Sequence, residues 1–313
     1  MYKTVSTALQ SKRFKLTISA FIIAALTSVA WVNFKNVDVL TTDLITDQII
    51  VFTIIAGLTF LNLYTEMRKW ITLINASHFK RRTAFKAVLI GMSSGFITPN
   101  RLGEFVGRAL LAPKGLRKKA SVMTFAGSGI QGSVTLLAGI IGIAIYPVLP
   151  EMVSYGDFKS KVLIGLLVLA TAGAIFFWFR KPLRPHIQAV LKPLKSVEIK
   201  TLIKAWLWAV ARYAIFSTQF VIALYSVGFS GDIITCFAGV FVLYFIQSYL
   251  PFTAMGELGV RELLAIFIFG KFLNEPLLAA FASLLVWVAN IGIPVLIGAL
   301  HLKVYKSNIL GNT

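Results

Sequence analysis

Long apolar runs separated by short charged clusters set the pattern of this chain. Six runs, at 16–32, 49–64, 122–146, 162–179, 205–225 and 277–300, approach or exceed the roughly 20 residues (about 17–25) of a membrane-crossing helix. The second is short, and Thr46 and Asp47 extend it toward the interface. Two further stretches behave differently. Residues 84–98 stop at Pro99-Asn100-Arg101 and resume as 102–112; residues 233–250 stop at Pro251 and resume as 258–272. Each reads as two half-length helices meeting at a break. Proline gives the break a local cause, because it lacks a backbone donor and disfavours helix in the residue before it.

Composition agrees with this pattern. Of the 313 residues, 57% are hydrophobic and 14% charged, against about a quarter charged in a soluble domain. Runs this long call for a hydrocarbon layer rather than a soluble core.

The net charge of +19 changes the picture only through its placement. Lys and Arg gather before the first run, after the second, beyond the first break, in the central loop and in the tail, whereas 33–48 carries one lysine against Asp38, Asp43 and Asp47. This is the positive-inside bias, and it puts both termini in the cytoplasm of a multi-pass protein of the cell (inner) membrane. No basic surface domain remains for nucleic acid. Ser28-Val29-Ala30 resembles a signal-peptide cleavage site, but Trp31-Val32 continues the run, and the first helix is read as retained.

The same charges orient the broken segments. The first has basic flanks on both sides, so it enters from the cytoplasm and returns there; the second runs from near Asp232 to near Asn274-Glu275 and opens outward. A competing reading makes both of them full, irregular crossings.

The two breaks also match in sequence. From Gly103-Glu104-Phe105-Val106-Gly107-Arg108 and Gly256-Glu257-Leu258-Gly259-Val260-Arg261 onward, six of ten positions agree. Three crossings lie between them, so the copies point in opposite directions. The expected fold is an all-α polytopic membrane protein forming one transmembrane domain over 1–313. It has six full transmembrane helices and two re-entrant helical hairpins, in inverted-topology repeats of approximately 1–150 and 151–313.

The motifs supply the candidate chemistry. Glu104 and Arg108, like Glu257 and Arg261, stand four apart and can share a helix face as ion pairs. One reading makes these pairs structural, neutralising charges that each cost at least ~2.5–3.5 kcal/mol within a membrane. The other has them line a cavity for a lipid head group. In that reading a half-helix start and an arginine meet a phosphate, and a glutamate meets an amine or carries a proton. The candidate binding residues are Pro99, Arg101, Gly103, Glu104 and Arg108 in the first copy, and Pro251, Gly256, Glu257, Gly259, Arg261 and Glu262 in the second. Arg212 is a further candidate, with snorkelling toward the cytoplasmic interface as its competing role. Glu66, Arg68 and Trp70 read as the interfacial end of the second helix, and Ser128, Gln131 and Ser133 as helix-packing residues. The lone Cys236 and the scattered His78, His186 and His301 offer no metal site, and no cofactor is expected.

At Pro99-x-Arg101-Leu102-Gly103-Glu104-xxx-Arg108 and Gly256-Glu257-Leu258-Gly259-Val260-Arg261-Glu262, the chain resembles the lysylphosphatidylglycerol synthase transmembrane-region family, the flippase-like domains. Met67-Arg68-Lys69-Trp70 is similar but less specific, and Met255-Gly256-Glu257 departs from the family's glycine-rich lead. The resemblance covers essentially the whole chain. It implies movement of lipids or lipid-linked intermediates between leaflets, with membrane lipids, anionic or amine-bearing, as partners. The fused synthase domain of some relatives is not expected here. Two alternatives stay open: a membrane enzyme acting on lipid or polyprenyl substrates, for which no catalytic constellation is visible, and a non-transporting partner of an envelope-biogenesis complex. A protein partner or homo-oligomer is compatible with each.

Overall fold

The computed structural model describes residues 42–75, 79–96, 98, 101–146, 194, 196–249 and 256–310. Among these the architecture is all-helical. The helices are α1 (Thr42–Ile74), α2 (Arg81–Phe96), α3 (Leu102–Leu110), α4 (Arg117–Ile145), α5 (Ile199–Ser226), α6 (Ile233–Tyr249), α7 (Gly256–Phe269), α8 (Leu277–Trp287) and α9 (Ile293–Leu310). A π-helical segment, Val288–Gly292, joins α8 to α9.

Four stretches are long and apolar enough to cross a membrane: Ile49–Ile74, Arg117–Ile145, Ile199–Ser226 and Leu277–Leu302. They correspond to four of the six expected crossings; the runs at 16–32 and 162–179 lie outside the described residues. Ile54, Leu61, Ile140, Ile141, Leu207 and Leu300 stand exposed on these helices. Surfaces like these need an apolar surrounding, and the chain is a membrane protein.

The first broken segment is a helical hairpin. At about 1.5 Å per residue, the 16 residues of α2 reach about 24 Å and the 9 of α3 about 14 Å, both short of a hydrocarbon core of about 30 Å. Arg101 makes the corner, with φ 55° in the left-handed region. Thr98 secures it: its hydroxyl accepts the Gly103 N–H at 2.6 Å, and its carbonyl accepts the Arg101 N–H at 3.2 Å. The helices then pack antiparallel through small residues. A Cβ on Gly107 would lie 2.6 Å from Ser94 Oγ, and one on Gly103 would collide with the Ser94 carbonyl.

α6 and α7 form the second pair, bracketing the outside-described stretch that contains Pro251. Asp232 caps α6: Oδ1 accepts the N–H groups of Ile234 and Thr235 at 2.9 Å, and Oδ2 accepts the Thr235 hydroxyl at 2.6 Å. The Thr235 bonds hold this carboxyl below its usual range.

The long helices tie the pairs together. α1 lies along α5, α2 packs on α9, and α6 packs on α4. The α2–α9 and α6–α4 contacts are both glycine-mediated. Gly298 on α9 meets Leu89 and Ser93 of α2, and Gly142 on α4 meets α6 so closely that a Cβ would lie 2.8 Å from the Ala238 carbonyl oxygen. The Ser93 hydroxyl donates to the Val295 carbonyl at 2.6 Å across the first of these contacts. One apolar core gathers Phe220, Leu224, Leu243 and Phe269; another gathers Met67, Trp70, Leu73 and Met123 around the first hairpin.

Candidate functional site

Glu66 is the hub of a charged cluster inside the helical bundle. α1 continues past Tyr64, where the hydropathy pattern ends, and this carries Glu66 and Lys69 into the interior at 5% and 2% exposure. Asn62, Glu66 and Lys69 follow one another at steps of four and three, so they project from one face of α1. Glu66 Oε1 lies 2.8 Å from Arg108 Nη2, and its Oε2 lies 2.7 Å from both Lys69 Nζ and Arg212 Nη1. Lys69 and Arg212 thus share Oε2 as close ionic partners. Arg108 is paired a second time, to Glu104 one turn earlier on α3. Its guanidinium also lies 5.8 Å from the ring centre of buried Trp70, whose indole N–H donates to Thr124 at 2.9 Å.

Neutral amides extend the cluster. Arg212 Nε donates to Asn62 Oδ1 at 3.0 Å, and Asn62 donates onward to Asn290. Asn290 donates to Gln219 Oε1 at 3.0 Å, and Gln219 donates to Thr59 Oγ1 at 2.9 Å. On the other flank Lys69 donates to Gln131 Oε1 at 3.3 Å. The polar chain thus runs from Glu104 on the hairpin to Gln219 on α5. Asn290, its connecting amide, sits in the π-helical segment, a distortion found frequently at functional sites.

Among the described residues, three cations face two carboxylates here, leaving one formal positive charge in excess. Glu104 and Arg212, at 16% and 25% side-chain exposure, are the members that reach toward the outside of the cluster. A buried ion set with one surplus cation and an accessible guanidinium can accept an anionic group by exchange of partners.

The second motif is arranged differently. Buried Arg261 donates from Nε to Ser283 Oγ at 3.0 Å and from Nη2 to the Ser283 carbonyl at 2.6 Å. Its nearest carboxylate among the described residues is the adjoining Glu262, at 3.6 Å, which also accepts from Ser283 Oγ. Glu257 and Gly256 start α7, but their side-chain surroundings lie outside the described residues. Gly259 faces open space, with nothing near an added Cβ.

The structure therefore brings together Glu104, Arg108 and Arg212 and keeps Arg261 and Glu262 as a separate group. Gly103 and Arg101 shape the hairpin turn, and Pro99 and Pro251 lie outside the described residues. Two expectations are corrected. Glu66 and Trp70 do not end the helix: α1 continues to Ile74, and both are buried inside the bundle, where ion pairing offsets the Glu66 charge. Arg212 does not snorkel outward: Glu66 and Asn62 hold it inside. Gln131, expected to pack helices, also accepts from Lys69. Glu66, Lys69, Asn62, Gln219 and Asn290 were missing from the candidate list. The first three were signalled by their shared helix face.

The family model for the lysylphosphatidylglycerol synthase transmembrane region matches residues 14–298. The chain belongs to this family. The match takes in every residue of the charged cluster and both Gly-Glu-xxx-Arg motifs. No curated protein and no solved structure matches the chain.

Proposed function

We propose that the protein moves a lipid or lipid-linked intermediate between leaflets, and that the cluster centred on Glu66 handles the head group. The observation carrying this reading is the set of buried Glu66, Lys69 and Arg108 with half-buried Glu104 and Arg212, and its surplus positive charge among the described residues. A purely structural ion set has no need of an excess cation, whereas a head-group phosphate neutralises one. Arg212 is the group that changes partners: it leaves Glu66 for the phosphate as the lipid enters and returns as it departs. The substrate moves without covalent chemistry, so the chain is not an enzyme in this reading.

The architecture supports alternating access. Each hairpin packs against the last long helix of the opposite half, α2 on α9 and α6 on α4, through glycine contacts in both cases. This exchange is the pattern expected of inverted repeats over approximately 1–150 and 151–313, with hairpins re-entering from opposite faces of the cell membrane. The basic stretches around α2 support a cytoplasmic side for that hairpin and for both termini.

Reconstitution tests the reading. Liposomes containing the protein should translocate a labelled phospholipid, and Arg108→Ala should slow this by about tenfold or more, the equivalent of about 1.4 kcal/mol of barrier. Wild-type rates equal to protein-free liposomes across anionic, zwitterionic and amine-bearing lipids would refute it.

A further inference from the structure

A second basic site lies apart from the Glu66 cluster. Between the end of α1, the start of α2 and the first turns of α5 is a cleft of about 370 Å³, lined by Arg68, Ile71, Thr72, Asn75, Phe79, Arg81, Thr201 and Lys204. Its volume is at the lower end of small-molecule sites, about 300–1,000 Å³. Among the described residues, three cations line it and no carboxylate does. Among the described residues no acidic side chain pairs with Arg68, Arg81 or Lys204; the ion pairs of the neighbouring α1 turn are made by Glu66 and Lys69.

Arg68 is held in place without being neutralised. Its Nη1 donates to the Tyr64 hydroxyl at 2.9 Å, and its guanidinium sits 4.9 Å from the Trp208 ring centre. Neither contact removes its charge, and the remaining guanidinium donors are available. α2 begins at Arg81 on the cleft wall, which adds the positive end of a 16-residue helix to the side-chain charges. Asn75, in the left-handed region at φ 47°, ends α1 beside the cleft. The result is a fixed arginine, two exposed cations and a helix start converging on one concave volume.

We propose that this cleft binds a phosphate group, carried by a lipid head group at the membrane surface or free in solution. The proposal does not depend on transport, since occupancy of the cleft is a binding property. Loose positive-inside charge would lie scattered over the surface; here an aromatic ring orients one arginine and three cations share one concave volume.

Native mass spectrometry of the full-length protein, extracted in neutral detergent, tests it. The probes are phosphatidic acid, phosphatidylcholine and inorganic phosphate. The variants are Arg68→Gln/Lys204→Gln, Arg81→Gln, and a control, Lys118→Gln/Lys119→Gln, which removes two cations elsewhere. Phosphatidic acid retention should fall about tenfold in the first variant and by less in the second, while the control stays at wild-type level; tenfold in affinity is about 1.4 kcal/mol. Competition by millimolar inorganic phosphate identifies the free ion as a ligand, and retention despite it identifies the lipid-borne group; either supports the site. Equal loss in the control, equal retention of phosphatidylcholine, or unchanged retention in the cleft variants overturns it. Arg81→Gln alters an exposed side chain, so it reports on binding even if the double variant unfolds. Liposome translocation, measured separately, keeps failure of this site distinct from failure of the transport reading.

Discussion

The two Gly-Glu-xxx-Arg segments share a sequence but not an electrostatic setting. Arg108 sits between Glu104 and Glu66, and Glu66 is shared with Lys69 and Arg212. Arg261 leans on the hydroxyl and carbonyl of Ser283, with Glu262 beside it at 3.6 Å. The difference comes from what the neighbouring helices supply. α1 brings a carboxylate to the first arginine, whereas α8 brings a serine to the second. The motif itself secures a buried arginine on a short helix; the flanking long helices decide whether that arginine joins a network able to exchange ions.

The sharpest way to break the comparison is at Glu66. Glu66→Gln leaves Lys69, Arg108 and Arg212 facing one carboxylate, and removing one partner of a buried ion pair costs about 3–5 kcal/mol. The thermal midpoint in detergent should fall further than for any single change at the second motif, and a smaller fall than for Ser283→Ala would reverse the ranking. Ser283→Ala removes the hydroxyl from Arg261 while keeping the carbonyl contact. A hydrogen bond to a charged group contributes about 1.5–3 kcal/mol, and translocation should be less affected than by changes around Glu66.

Glycines sharpen the contrast at a smaller scale. Gly103→Ala drives a Cβ into the Ser94 backbone, and overpacking of this kind costs about 1–3 kcal/mol. Gly259→Ala meets nothing and should be neutral or stabilising by up to about 1 kcal/mol, as alanine replaces glycine within a helix. Parallel melting curves check both. The smallest effect is expected at Asp232, outside the spanning helices. Its folded carboxyl titrates below the unfolded value, so the cap is fully stabilising above the usual aspartate range and is lost as pH falls through the lower folded value. Asp232→Asn should lower the melting temperature slightly at neutral pH and converge with wild type at acid pH, flattening the acid side of the profile.

Much of this fold was legible because membrane helices and their breaks are written in apolar run length. The expected segments 84–98 and 102–112 became α2 and α3 with shifts of only a few residues, and 233–250 became α6. The charged hub was harder to read. Hydropathy scores Glu66, Arg68 and Lys69 as an end of the span, since it values each charge alone, whereas Glu66 and Lys69 neutralise each other and Arg68 turns to Tyr64 and Trp208. Spacing along α1 carried the missing signal, because Asn62, Glu66 and Lys69 share one face. Asn290 and Gln219 gave no such hint: each is a single amide in an apolar helix, and their meeting depends on the π-helical segment and on how α8, α9, α1 and α5 pack.

Arg212 is the place to test the central claim, since it joins the cluster to its more exposed side. Purified wild-type protein and Arg212→Gln should be compared in liposomes for translocation of a labelled anionic phospholipid, with thermal midpoints recorded on the same preparations. A folded Arg212→Gln protein with translocation reduced by about tenfold or more, about 1.4 kcal/mol of barrier, is the predicted result. A folded variant that translocates at the wild-type rate would contradict the account.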